Sequence, residues 1–259
     1  MEAPAILRAE EISQSYGARV PRGSRPQPVL REIRFSLHPG ECVALIGASG
    51  SGKTTLGRIL SGLLRPDAGR VLFAGRPMWD RGGCSAERPR QAVREFRRRV
   101  RHILQGARGS LNPGMRVREI LAEPVRAHEG ASARRAAPRV DAVAHAVGLG
   151  ARHLESYPGA LSGGECRRVA LGRALAVPPE VLIADEMFTG LDFWAAQPIA
   201  ALLRTLAVTQ RLGILLITHD LEVVRMLADR VFLLRRGEPL APLAASEMRA
   251  LPQAPEGQR

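Results

Sequence analysis

Residues 42–54 constrain this chain more than any other stretch. Cys42-Val43-Ala44-Leu45-Ile46 is a short, nearly all-apolar run, the pattern of a strand covered on both faces. Gly47 stops it and opens Gly47-Ala48-Ser49-Gly50-Ser51-Gly52-Lys53-Thr54, a match without mismatch to G-x-x-x-x-G-K-[ST]. A helical pattern continues from Thr55 to Leu64. Strand, glycine-rich turn and helix in that order let backbone N–H groups wrap around phosphate oxygens, with the positive end of the helix dipole behind them. Lys53 would reach the β- and γ-phosphates of a nucleotide, and Thr54 would ligate Mg²⁺. The charge balance supports this reading. Lys+Arg number 38 against 25 Asp+Glu, for a net +13, yet Lys53 is the only lysine. Arginine, a rigid fork, serves everywhere except where the loop needs a slim point charge. The excess charge therefore reflects a general use of arginine codons as much as an acidic partner.

Two further runs resemble the first. Val181-Leu182-Ile183-Ala184 and Ile214-Leu215-Leu216-Ile217 are apolar and end in polar residues, so at least three buried strands carry polar groups at their C-terminal ends. In open parallel α/β sheets that edge is where ligands bind. Residues Glu32 to Leu37 alternate as a half-buried strand ended by His38-Pro39-Gly40. From about Gly106 to Tyr157 the spacing is helical, interrupted at Leu111-Asn112-Pro113-Gly114, and reads as a helical insertion. The segment from Pro239 is rich in Pro, Ala and Glu, with Pro252 to Arg259 expected to be disordered. Cys42, Cys84 and Cys166 form neither a CxxC pair nor a zinc site. The Met1-Glu2-Ala3-Pro4 start does not read as a signal peptide, and no run of about 18 apolar residues exists. A cytosolic chain is expected, attached to a membrane only through partners.

Val181–Ala184 runs into Asp185-Glu186, two acids at the end of a buried strand. Desolvated carboxylates are costly unless they meet a cation or a reaction. Asp185 suits Mg²⁺, directly or through water, and Glu186 suits a general base that polarises an attacking water. His219, two residues beyond Ile217, could touch the γ-phosphate.

Leu161-Ser162-Gly163-Gly164-Glu165, taken with the phosphate loop, resembles the signature of ATP-binding-cassette (ABC) ATPases. The other landmarks then fall in that family's order: Tyr16 resembles the aromatic that stacks on adenine, Gln105 the glutamine entering the helical subdomain, Thr189-Gly190-Leu191-Asp192 the loop after the catalytic acid, and His219 the switch histidine. The resemblance implies an α/β cassette over residues 1–240: a parallel nucleotide-binding sheet, a small antiparallel N-terminal sheet, an α-helical subdomain at about 106–160, and a short tail over 241–259. It implies ATP contacts from Tyr16 and Gly47 through Thr55, Mg²⁺ ligation by Thr54, Gln105 and Asp185, and catalysis by Glu186, His219 and Gln105. Ser162, Gly163 and Gly164 would open a helix from Glu165 to Val177 and act on ATP held by a second cassette, with Asp192 at the dimer interface. Head-to-tail dimers of this kind close on ATP and reopen after hydrolysis, driving membrane-spanning subunits.

Gln105-Gly106-Ala107-Arg108-Gly109-Ser110-Leu111-Asn112-Pro113 is similar to the Q-x-x-x-x-S-L-N-P segment of peptide and nickel importer ATPases, as are Pro124 and the long loop Gly17 to Pro28. The chain also stops soon after the cassette, which resembles the nickel or metal-chelate branch. That group implies two different ATPase subunits, two permeases, an extracytoplasmic solute-binding protein and a peripheral position on the cytoplasmic face of the inner membrane. Exporter or lipid-extraction ATPases lack the Ser-Leu-Asn-Pro segment. Ribosome-acting or DNA-repair cassettes carry a second cassette or a long coiled coil, and neither is found here. Cys166, Arg167, Gly172 and Met187 depart from the family's usual residues without removing a catalytic group, and Gly172 should cost about 1 kcal/mol of helix stability. Pro198 is tolerable if its helix begins nearby and kinks it otherwise. Seven arginines from Arg88 to Arg101 lack the interleaved aromatics of a nucleic-acid binder and read as a solvated helix running toward Gln105.

Overall fold

The computed structural model describes residues 4–16, 27–78, 90–236 and 238–243. Two sheets organise them. The strands are β1 (Leu7–Tyr16), β2 (Gln27–Leu37), β3 (Cys42–Ile46), β4 (Ala68–Phe73), β5 (Arg76–Pro77), β6 (Val100–Ile103), β7 (Val181–Asp185), β8 (Gly213–Ile217), β9 (Arg230–Leu233) and β10 (Ala241–Pro242). The helices are α1 (Lys53–Leu60), α2 (Arg90–Arg99), α3 (Val117–Glu129), α4 (Ala133–Ala146), α5 (Ala151–Glu155), α6 (Gly163–Leu175), α7 (Phe193–Gln210) and α8 (Leu221–Leu227). An antiparallel sheet has the order β2-β1-β4-β5, and a second sheet the order β10-β9-β3-β8-β7-β6, parallel from β9 through β6.

The three apolar runs are the central strands β3, β8 and β7, every residue of them buried. Because successive side chains point to opposite faces, one strand feeds two cores. Val181, Ile183, Leu215 and Ile217 face α1 and the antiparallel sheet. Leu182, Ala184, Ile214 and Leu216 face the helical layer, where Ile120, Leu121, Val169 and Leu203 pack. Full burial of one such aliphatic side chain contributes about 1.5–3 kcal/mol, so the strand ends carrying the polar residues are held firmly.

Several expectations shift. The arginine-rich helix α2 stops at Arg99, and Val100–Ile103 forms edge strand β6, paired parallel with β7, so Gln105 follows a strand and not a helix. The phosphate-loop helix is Lys53–Leu60 rather than Thr55–Leu64, because Gly62, at φ +72°, ends it. Helix α6 begins at Gly163, not Glu165, since Ser162 caps it two residues earlier, and it ends at Leu175. Pro198 lies inside α7, just past its first turn, and removes the N–H that would bond the carbonyl of exposed Trp194. The sheet also continues past residue 240: Ala241 and Pro242 pair with Leu233 and Phe232. The expected disordered end, Cys84 and most of the Gly17–Pro28 loop lie outside the described residues.

Candidate functional site

The phosphate loop joins β3 to α1. Gly47 stands at φ +154°, and a Cβ there would lie 2.3 Å from the Leu234 carbonyl oxygen. Gly52, the N-cap of α1, stands at φ +106° with room for a Cβ blocked by Val29 and Leu30 at 2.8 and 2.9 Å. Both positions therefore need glycine. Ala48, Ser49 and Gly50 form an exposed rim, whereas Ser51 and Lys53 are buried. Lys53 Nζ donates to the carbonyls of Gly47 at 2.8 Å and Ala48 at 3.0 Å, which holds the ammonium inside the curve of the loop. Ser51 Oγ is buried with no partner. Half-exposed Tyr16 reaches the same loop, its hydroxyl 3.3 Å from Thr55 Oγ1.

At the end of β7, next to β8, the chain turns sharply. Asp185 is fully buried. Glu186 sits at φ +52°, left-handed for a non-glycine residue, a conformation that costs about 1–3 kcal/mol and persists where the surroundings impose it. Its N–H donates to the Ile217 carbonyl at 2.9 Å. The turn directs the Glu186 carboxylate to two partners: the Thr189 hydroxyl donates to it, and His219 Nδ1 lies 3.0 Å away. The Glu186 side chain is only 10% exposed while His219 is 64% exposed, so the histidine bridges the buried acid to the surface. Gln105, Arg167, Glu186 and Thr189 line one cavity of about 240 Å³.

Asp185 is the unusual group. Neither carboxylate oxygen has a well-formed hydrogen bond. Burial raises its pKa above the ordinary carboxylate value; the Thr54 hydroxyl pulls it back, Glu186 adds to the rise, and Lys53 and Arg58 oppose it. Two orphaned carboxylate oxygens beside a threonine hydroxyl form a hard-oxygen donor set that suits Mg²⁺. Gln105 is exposed and lines the same cavity as Glu186, a cavity that Asp185 and Thr54 do not line.

The signature segment is built as a helix cap. Ser162 Oγ accepts from the Glu165 N–H at 3.2 Å, and Glu165 Oε2 accepts from the Ser162 N–H at 2.8 Å. His153 Nδ1 accepts from the Gly150 N–H at 2.9 Å, which places its proton on Nε2, 3.1 Å from Glu165 Oε1. The Ser162 backbone bond chiefly, then the Ser162 hydroxyl and His153, hold the Glu165 carboxyl below its ordinary pKa against the opposing effect of burial. Leu161 anchors the cap in the core, while Ser162 and Gly163 stay exposed at the start of the helix. A Cβ on Gly164 would lie 3.2 Å from Leu191, so the signature and the loop leading to Asp192 adjoin. Asp192 caps α7, accepting from the Ala195 N–H at 2.7 Å.

Residues 30–189 match the family model described as ABC transporter. The chain belongs to the ABC transporter family. Its members are ATPases coupled to transport, and this chain is one of them. The nickel import ATP-binding protein NikE of Rhodospirillum rubrum is 38% identical over 90% of this chain and 82% of its own length. A putative peptide import ATP-binding protein of Brucella abortus is 32% identical over 97% of this chain and 78% of its own length. A methionine import ATP-binding protein of Rhodococcus jostii is 42% identical over 90% of this chain, which spans 64% of that relative. Among solved structures, a dimeric ATP-binding cassette in a post-hydrolysis state with ADP and Pi superposes with a TM-score of 0.80 at 25% identity, covering 92% of this chain and 99% of that one.

Tyr16 thus lies against Thr55 at the end of the phosphate loop, Asp185 lies beside Thr54 and Lys53, His219 touches Glu186 past the end of β7, and Gln105 shares a cavity with Glu186. Among the described residues no hydrogen bond or ion pair joins Leu161–Glu165 to that loop. Sequence reading assigned no contact to Thr189, which fixes Glu186, or to His153, which fixes the signature glutamate. Thr189 lies three residues past the catalytic acid candidate, so its position was legible although its hydrogen bond was not.

Proposed function

We propose that this chain is the ATP-binding subunit of an ABC importer for nickel, a metal chelate or a short peptide. The observation that carries the catalytic part is the pairing at the end of β7: a buried Asp185 with two orphaned oxygens beside a Glu186 held by Thr189 and His219. Lys53 would leave the Gly47 and Ala48 carbonyls for the β- and γ-phosphates of ATP, a stronger charge-assisted contact. Glu186 would accept the proton of the attacking water, with His219 and Gln105 lining the γ-phosphate side. Mg²⁺, held by Thr54 and Asp185, would neutralise phosphate charge. Ser162, Gly163 and Gly164 would complete the site of a second cassette, and that cassette's signature would cover the ATP bound here.

The Ser110-Leu111-Asn112-Pro113 segment and the nickel and peptide import relatives support the importer reading. No helix among the described residues is long and apolar enough to cross a membrane, which fits a peripheral subunit acting through two permeases on the cytoplasmic face of the inner membrane. The methionine import relative keeps an amino-acid cargo as the second reading. The test is to purify the chain alone and with the ATPase and permeases encoded beside it, then compare turnover and transport. The reading expects coupled turnover only with a different second cassette; full transport from a homodimer would remove the heterodimer, and turnover indifferent to permeases would remove the importer.

A further inference from the structure

The segment that follows Gln105 is held by hydrogen bonds more than by packing. It is a single 3-10 turn, Ala107–Ser110, in which no residue is buried, and a Cβ on Gly106 or Gly109 would meet nothing within 4 Å. The Gly109 N–H donates to the Gly106 carbonyl at 2.9 Å and Ser110 Oγ to the Ala107 carbonyl at 2.7 Å, so the turn closes on itself. Two arginines then tie it to the signature helix and its entry. From α6, Arg173 Nη1 donates to the Ser110 carbonyl at 2.8 Å. From the turn, Arg108 Nη2 donates to the Leu161 carbonyl and, at 3.4 Å, to the Gly159 carbonyl. Both carbonyls lie on the stretch that runs through the 3-10 turn Pro158–Ala160 into Ser162. Position 108 is an open x in the Q-x-x-x-x-S-L-N-P segment, so the resemblance gives Arg108 no role. The side chain belongs to an exposed residue, and an exposed arginine gives up rotamer freedom to be held in one geometry, a cost that charge-assisted bonds to two carbonyls offset.

The Leu161–Ser162 peptide is thereby gripped on both sides. Its carbonyl accepts from Arg108, and its N–H donates to Glu165 Oε2 at 2.8 Å. A peptide group is planar, so the two contacts together fix one rigid plane, and with it the direction in which the next residue leaves. That residue is Ser162, whose Oγ accepts from the Glu165 N–H at 3.2 Å and whose extended backbone, at φ −64° and ψ 164°, opens α6. We propose that Arg108 is the positioning residue of the signature serine: by holding the Leu161 carbonyl it sets the one orientation in which Ser162 is offered to the nucleotide of a second cassette. Arg108 touches no nucleotide in this role and acts through the Leu161–Ser162 peptide. The proposal rests on the reading of Ser162 as part of that second cassette's site.

Association of the full chain with the second cassette encoded beside it, measured by sedimentation with Mg²⁺ and a slowly hydrolysed ATP analogue, reads the effect. Arg108→Met keeps the aliphatic stem and removes the donors, so association should weaken roughly tenfold. The same variant should keep its own MgATP affinity within about twofold and its melting temperature within about 2 °C, as an exposed side chain remote from the phosphate loop requires. Arg108→Lys, which can still reach one carbonyl, should recover most of the loss. In a Ser162→Ala background Arg108→Met should cost less than about threefold, because the hydroxyl it orients is gone. Association unchanged by Arg108→Met, the full tenfold loss persisting in Ser162→Ala, or an Arg108→Met chain that fails to fold or loses its own MgATP affinity would each overturn the proposal. Wild-type cassettes that bind MgATP yet do not associate would overturn the signature reading itself, and the proposal with it.

Discussion

Asp185→Asn separates the cost of building the site from its use. The Asp185 carboxylate is fully buried, lacks a well-formed hydrogen bond and is raised in pKa by burial. A raised acid binds its proton more readily folded than unfolded. Stability is therefore lost as pH climbs from the unfolded value near 3.8 to the higher folded value, and stays lost above it. Asparagine keeps the shape and the two unpaired polar atoms but removes the charge. With Thr54 and Lys53 already offsetting part of the burial cost, the gain should be about 1–2 kcal/mol. For a chain of this size that is roughly 3–6 °C in melting temperature at pH 7.5, narrowing as the pH falls toward the unfolded value near 3.8. Saturating MgATP should reverse the order: wild type gains about 2.7 kcal/mol at a hundredfold excess over Kd, whereas the variant has lost a Mg²⁺ ligand and gains far less. Thermal melts across that pH range, with and without MgATP, read both effects. A variant that melts at or below wild type without nucleotide, or an advantage that does not shrink on acidification, would refute the reasoning.

Three other outcomes follow from the same geometry. Gly172→Ala should lower stability by about 1 kcal/mol despite alanine's better helix propensity, because its Cβ would lie 3.0 Å from Leu121 Cδ2 and 3.4 Å from Val147 Cγ2; a higher denaturation midpoint would show the space is there. Lys53→Ala should weaken ATP binding itself, measured by calorimetry, and unchanged affinity would remove the lysine from the phosphate site. Ser162→Arg should block ATP-dependent association with the partner cassette while this chain's own nucleotide affinity stays within a few-fold, and normal association would displace the signature from the interface.

Much of this was legible because it rests on local chemistry. The phosphate loop, the three buried strands and the acid pair each announce themselves within a few residues, and each lies where the pattern placed it. What was hidden depends on tertiary pairing. Strand β1 breaks its own alternation: Glu11 stands at φ +55° and the register slips between Ala9 and Ile12, so Leu7 and Ala9 face inward in one phase and Ile12 and Gln14 in the other. Strand β6, Val-Arg-His-Ile after an arginine helix, becomes a strand only because β7 offers it an edge. Gly172 read as a weak point of its helix, yet it is the gap that lets α6 approach Leu121 on α3. Positive φ at Glu186 has no sequence signal, since it is defined by what surrounds it.

Glu186→Gln tests the account most directly, with steady-state turnover and nucleotide affinity measured on the same preparation. Glutamine preserves the shape of the side chain and leaves Asp185 and Lys53 in place while removing the base, so hydrolysis should fall by about two orders of magnitude or more. ATP should bind nearly as before, and the ATP-bound form should accumulate. Turnover within a few-fold of wild type would contradict Glu186 as the base, and with it the reading of the β7 end as the place where water attacks.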